Sequence, residues 1–124
     1  MIKVKHVFDR VESDDGPRLW VEPVGLTKDL QEWCAVSSVL PHLGPPREVG
    51  NWFEQHPQRY DYFRELYHAS LSASPYKSAL QQLAQHCLSA NCTLLHTSGD
   101  PEQNSATALA EFIRELAASC PRPG

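Results

Sequence analysis

The chain has 124 residues, with 11 Lys and Arg against 15 Asp and Glu, four Cys and ten Pro. That length fits one domain with its own core, and 41% hydrophobic with 21% charged residues is a globular balance, not a disordered one. A net charge of −4 argues against a sequence-independent nucleic-acid binder, which needs a basic face, and no apolar run approaches the ~18 residues of a membrane span.

Residues 2–8 mix alternation with β-formers and predict a short strand. The same charged, alternating start is unlike the apolar core of a secretion signal, so the expected location is cytoplasmic. Ser13, Asp14, Asp15, Gly16 and Pro17 form a turn cluster. Leu19 to Glu22 reads as a second strand, residues 28–33 as a short helix with Thr27 as N-cap, and 34–40 as a third strand. Pro41, Gly44, Pro45 and Pro46 then predict an extended loop.

The second half carries clearer periods. A helix is predicted over 57–72 from the stripe Tyr60, Phe63, Tyr67 and Leu71. Another is predicted over 75–88, with Ala79, Leu80, Leu83, Ala84 and Cys87 on one face. Residues 92–97 read as a buried strand bounded by Ser98-Gly99-Asp100-Pro101. A third helix, over 101–118, has the strongest amphipathic pattern, through Ala106, Leu109, Ala110, Ile113, Leu116 and Ala117. Pro57, Pro75 and Pro101 are each expected at the first helical position, where a missing N–H costs nothing. The whole is read as one α/β domain over 1–120, with a largely parallel sheet and flanking helices, and a flexible tail at 121–124.

In this order the residues become familiar. Ile2-Lys3-Val4-Lys5, Gly25-Leu26-Thr27-Lys28, Trp52-Phe53, His56-Pro57-Gln58-Arg59-Tyr60, Phe63-Arg64, Tyr67, Thr93-Leu94-Leu95, Asp100, Asn104 and Phe112 resemble the YeaO-like family, the domain of unknown function 488. The resemblance implies a small α/β domain and little about activity. It also exposes four departures. An Asp-Arg-x-Trp-Pro-Arg-Gly-like segment is replaced by Glu22-Pro23-Val24-Gly25, a basic pair by Gly50-Asn51, a Lys by Gly99 and a His by Gln103. If the family holds an anion with those side chains, this chain has lost much of that ability.

Candidate site residues follow from the last strand–helix loop. Ligands of parallel sheets bind beyond the strand carboxyl ends, and a helix N-terminus offers free N–H groups. Thr97, Ser98, Asp100 and Asn104 are therefore the expected ligand-binding residues, with His96 just before them. The plainer expectation makes Asp100 an N-cap, Asn104 a surface residue of the helix and His96 a partnered interior histidine. A metal site built from Cys87, Cys92 and His96 is disfavoured, because Cys92 and His96 lie about 13 Å apart on an extended strand. No metal or cofactor is called for. The cysteines read as small core hydrophobes, with neither Cys34 nor Cys87 activated. Arg59 and Arg64 read as solvated, beside Asp61 and Glu65.

The expected function is a small ligand-binding domain with its site at the last strand–helix loop. The alternatives are a small-molecule enzyme using Asp100 or His96 as acid or base, and an interaction module using Trp20, Trp33 and the proline-rich 41–46 surface. The expected partner is a small molecule, with neither nucleic acid nor membrane; a protein partner or a homodimer is left open.

Overall fold

The computed structural model describes residues 1–22, 26–73 and 75–119. Four strands, β1 (Ile2–His6), β2 (Arg18–Trp20), β3 (Ser38–Val39) and β4 (Cys92–His96), form one sheet in the order β1-β4-β2-β3. Every pair is parallel, with Ile2 opposite Cys92, Trp20 opposite Leu95 and Leu19 opposite Ser38. The α/β reading holds. All five residues of β4 are buried, as a strand with a neighbour on each side and layers above and below requires.

Helices α1 (Lys28–Trp33), α2 (Arg47–Gln55), α3 (Tyr60–Ser72), α4 (Lys77–Ser89) and α5 (Ser105–Ser119) complete the domain. On one face of the sheet, Ile2, Leu19, Cys92 and Leu94 pack with Phe63, Tyr67 and Leu71 of α3, Leu80 and Ala84 of α4, and Ala106, Leu109 and Ile113 of α5. The predicted stripes are the faces that pack. The opposite face carries a smaller cluster of Val7, Trp20, Cys34 and Leu95. Thr27 caps α1 as expected, its side chain accepting from the Leu30 N–H at 3.2 Å.

Several expectations need correction. The strands are shorter than predicted: β1 stops at His6, β2 at Trp20, and only Ser38–Val39 of 34–40 pairs. Ala35, with φ +53°, breaks the extended run after α1. The extended loop after Pro41 is instead a 3-10 turn over Pro41–Leu43, followed by α2. Its apolar face of Val49, Trp52 and Phe53 is at helical spacing and packs on the core, a signal that the proline run before it masks. Pro57 opens a 3-10 turn leading into α3, but Pro75 and Pro101 lie two and four residues before their helices. Arg64 bonds Glu111 of α5 instead of standing in solvent. Trp20 is 2% exposed and Trp33 83%, so the two do not share a surface. The expected tail at 121–124 lies outside the described residues.

Candidate functional site

The carboxyl ends of β2 and β4 open into a cleft of about 600 Å³. Its walls come from Glu22 after β2, Pro45 and residues between Arg47 and Glu54 of α2, the turn at Pro57 with Phe63 behind it, and the loop from Thr97 to Ser105. Gly44 fixes the α2 side. A Cβ there would lie 2.2 Å from the Val21 carbonyl oxygen, so only glycine lets the chain cross this close to the end of β2.

The loop after β4 satisfies most of its own backbone. The Asp100 N–H donates to Ser98 Oγ at 3.0 Å, and Asp100 Oδ1 accepts from the N–H groups of Glu102 and Gln103 at 2.9 and 3.0 Å. Asp100 thus closes a turn of its own, and the helix begins four residues later than the sequence suggests. Asn104 is the true cap of α5. Its Oδ1 accepts from the Thr107 N–H at 2.8 Å, while its Nδ2 donates to the Asp100 carbonyl at 2.9 Å. It is 2% exposed, not the surface residue that its position inside a longer predicted helix implies.

Of the five expected site residues, Thr97, Ser98, Asp100 and Asn104 line the cleft together. His96 does not. Its ring meets His6 edge-on at 5.5 Å and its Nδ1 accepts from the Ser98 N–H at 3.1 Å. Burial, with help from His6, holds His96 below the ordinary histidine range. It braces the loop from behind.

Sequence reasoning missed Glu22 as a site residue. Its carboxylate accepts from Ser105 Oγ at 2.7 Å, and Ser105 is the first residue of α5. Burial pushes Glu22 above the usual carboxylate range; the Ser105 hydroxyl opposes that shift and the charge of Glu54 adds to it. The available signal was the Glu22-Pro23 departure, whose Pro23–Gly25 part lies outside the described residues. The other departures converge on the same place. Gly50, Asn51 and Gln103 line the cleft, and Gly99 sits between two residues that do. Neither Gly50 nor Gly99 is demanded by the backbone: a Cβ at Gly50 would meet only Pro45 Cγ at 3.8 Å, and one at Gly99 would meet nothing within 4 Å. The backbone therefore leaves both positions open to a side chain.

The lining therefore carries three carboxylates, Glu22, Glu54 and Asp100, against the single guanidinium of Arg47. Such a cleft repels anions and suits neutral polar or cationic groups. Among the described residues no helix is long and apolar enough to cross a membrane.

Comparison with known proteins places the chain. The profile described as the inactive DUF488-N3 subclade matches residues 1–121. The uncharacterized Escherichia coli protein YeaO is 31% identical over 121 residues, spanning 93% of this chain and 98% of its own. The uncharacterized Mycobacterium tuberculosis protein Rv3073c is 30% identical over 88 residues, spanning 66% of this chain and 70% of its own. No solved structure matches. On the profile match over residues 1–121 and the identity with YeaO, the chain belongs to the YeaO-like DUF488 family as a divergent member.

Proposed function

We infer that this protein is a cytoplasmic ligand-binding domain, that its cleft takes a compact neutral or cationic polar ligand, and that it performs no catalysis. The observation that carries this reading is the lining itself, with three carboxylates and one arginine around about 600 Å³. Two further points support it. Four places where the resemblance implies basic or imidazole side chains are neutral here, and the matching profile is described as inactive. The charged, alternating start of the chain, unlike a secretion signal, supports the cytoplasmic part of the reading.

Calorimetry on the full chain tests it, with inorganic phosphate and the diamine putrescine as probes. Phosphate should show no saturable binding in the wild type. The double variant Gly50→Arg/Gly99→Lys, at two positions the backbone leaves open, should gain it. Wild-type phosphate binding tighter than about 10 μM would overturn the reading.

A second reading, a small-molecule enzyme, rests on Glu22. A carboxyl held above its ordinary range in a cleft is what a general acid or base needs. It differs from the first in requiring turnover of a bound ligand that disappears in Glu22→Gln.

A further inference from the structure

Cys87 and Cys92 stand five residues apart in sequence, at the end of α4 and the first position of β4. The turn between them brings their Sγ atoms to 3.2 Å. The two thiols that the sequence reads as separate core residues are therefore neighbours. We propose that the pair is an oxidative modification site, at which a hydroperoxide converts the two thiols into an intramolecular disulfide.

The two sulfurs are not equivalent. Cys87 is half-buried and reachable, whereas Cys92 is 0% exposed. A reagent therefore meets Cys87 first, and Cys92 waits behind it as the resolving thiol. The end of a helix is ordinarily a poor place for a thiolate, because the dipole is negative there. Here the bond with Cys92 and the guanidinium of Arg114, itself fixed by its bond to the Ile2 carbonyl at 3.0 Å, offset it.

The hydrogen bond from the Cys92 thiol is the largest influence on Cys87. Burial opposes it and the Arg114 charge assists; the result draws Cys87 below the ordinary thiol range. Cys92 moves the other way, raised first by that same bond and then by burial. The two sulfurs are thus driven apart, Cys87 toward the thiolate and Cys92 toward the thiol.

The chemistry balances with a hydroperoxide as the named oxidant. The Cys87 thiolate attacks the peroxide, forming an S–O bond and breaking O–O, and the departing alkoxide takes up a proton to leave as the alcohol, or as water from hydrogen peroxide. Cys92 Sγ then attacks Cys87 Sγ, S–S forms as S–O breaks, and hydroxide leaves as water with the Cys92 proton. Two thiols lose two electrons and two protons, and one peroxide is reduced. The sulfurs need approach by little more than 1 Å to reach bonding distance.

Peptide mapping of the full chain after stoichiometric hydrogen peroxide tests the site. The expected result is a Cys87–Cys92 cross-linked peptide lacking two hydrogens and reversible by dithiothreitol. In the untreated protein, iodoacetamide should modify Cys87 at least about tenfold faster than Cys34 at pH 7. Cys92→Ala, which removes the bond that lowers Cys87, should slow the reaction but leave a Cys87 sulfenic acid that dimedone traps, and Cys87→Ser should not react. Cross-links through Cys34 or Cys120, intermolecular dimers, or a Cys87 no faster than Cys34 would overturn the proposal. If Cys92→Ala fails to fold, the wild-type peptide map and alkylation rates decide alone.

Discussion

Two regions of this molecule each hold a carboxylate away from water, and they treat it in opposite ways. At the turn before β2, Asp15 is 1% exposed and surrounded by cations. Its oxygens lie 2.8 Å from Arg18 Nη1, 3.1 Å from Lys5 Nζ and 3.2 Å from Lys3 Nζ. Its backbone carbonyl also accepts from Thr93 Oγ1 at 2.8 Å, tying the turn to the central strand. At the other end of β2, Glu22 has a hydroxyl for company and no cation paired with it among the described residues. Burial works against ionisation at both. At Asp15 the Glu12 N–H, Lys5, Arg18 and Lys3 outweigh it and hold the carboxyl well below its usual range. At Glu22 burial prevails. A completed charge network is a structural device, whereas a carboxylate left without a counter-charge in a cleft has capacity for a ligand.

The largest expected effect breaks the first of these regions. Asp15→Ala strands Arg18, itself 2% exposed, without its carboxylate, and should cost about 3–5 kcal/mol in denaturant unfolding. If the loss is below about 1 kcal/mol, Asp15 is no more than a surface pair. The pH dependence sharpens the point. Because the folded carboxyl lies below the unfolded value near ~3.9, its contribution is present above that pH and fades as pH falls through and below it. Asp15→Asn should remove this part of the acid sensitivity, which stability curves between pH 2 and pH 5 would reveal as a flatter slope.

Between the regions in size stands Asn104→Ala. It removes the cap of α5 and the bond to the Asp100 carbonyl, and should cost about 1 kcal/mol while loosening the cleft wall. Amide exchange should speed up at Thr107 before it does so in β4. The smallest effect has the opposite sign. Glu22→Gln removes a charge that the fold disfavours, so it should stabilise the protein at pH 7 by roughly 0.5–1 kcal/mol. The gain should vanish once the pH falls below the unfolded glutamate value, where both forms are neutral. A destabilised Glu22→Gln at pH 7 would make Glu22 a structural group like Asp15 and remove the comparison.

Much of the architecture was legible because it is written in local periods. The stripes of α3, α4 and α5, the Thr27 cap and the apolar run of β4 each announce themselves within a few residues. What escaped was decided by competition or by distance. Asp100 and Asn104 are both good caps with a proline nearby, and only the folded loop selects the second. Helix α2 is strongly amphipathic through Val49, Trp52 and Phe53, and it escaped because the proline run before it reads as loop. The candidate site divides the same way. Thr97, Ser98, Asp100 and Asn104 were accessible from one loop, but Glu22 meets Ser105 across 83 residues, a pairing that no local pattern encodes. The approach of Cys87 to Cys92 depends on how tightly the chain turns from helix to strand.

The position of β4 in the sheet has a consequence for how the polypeptide can be assembled. It is the last strand in sequence, yet it lies between β1 and β2, which do not pair with each other. Until residues 92–96 leave the ribosome, β1 has no partner and the β2–β3 pair has no central strand to join. Folding must therefore wait until most of the chain has been synthesised, and loop closures of about 90 residues set its pace. For that interval the nascent protein exposes two unpaired strand edges, the state in which chaperone capture and misassociation compete with completion.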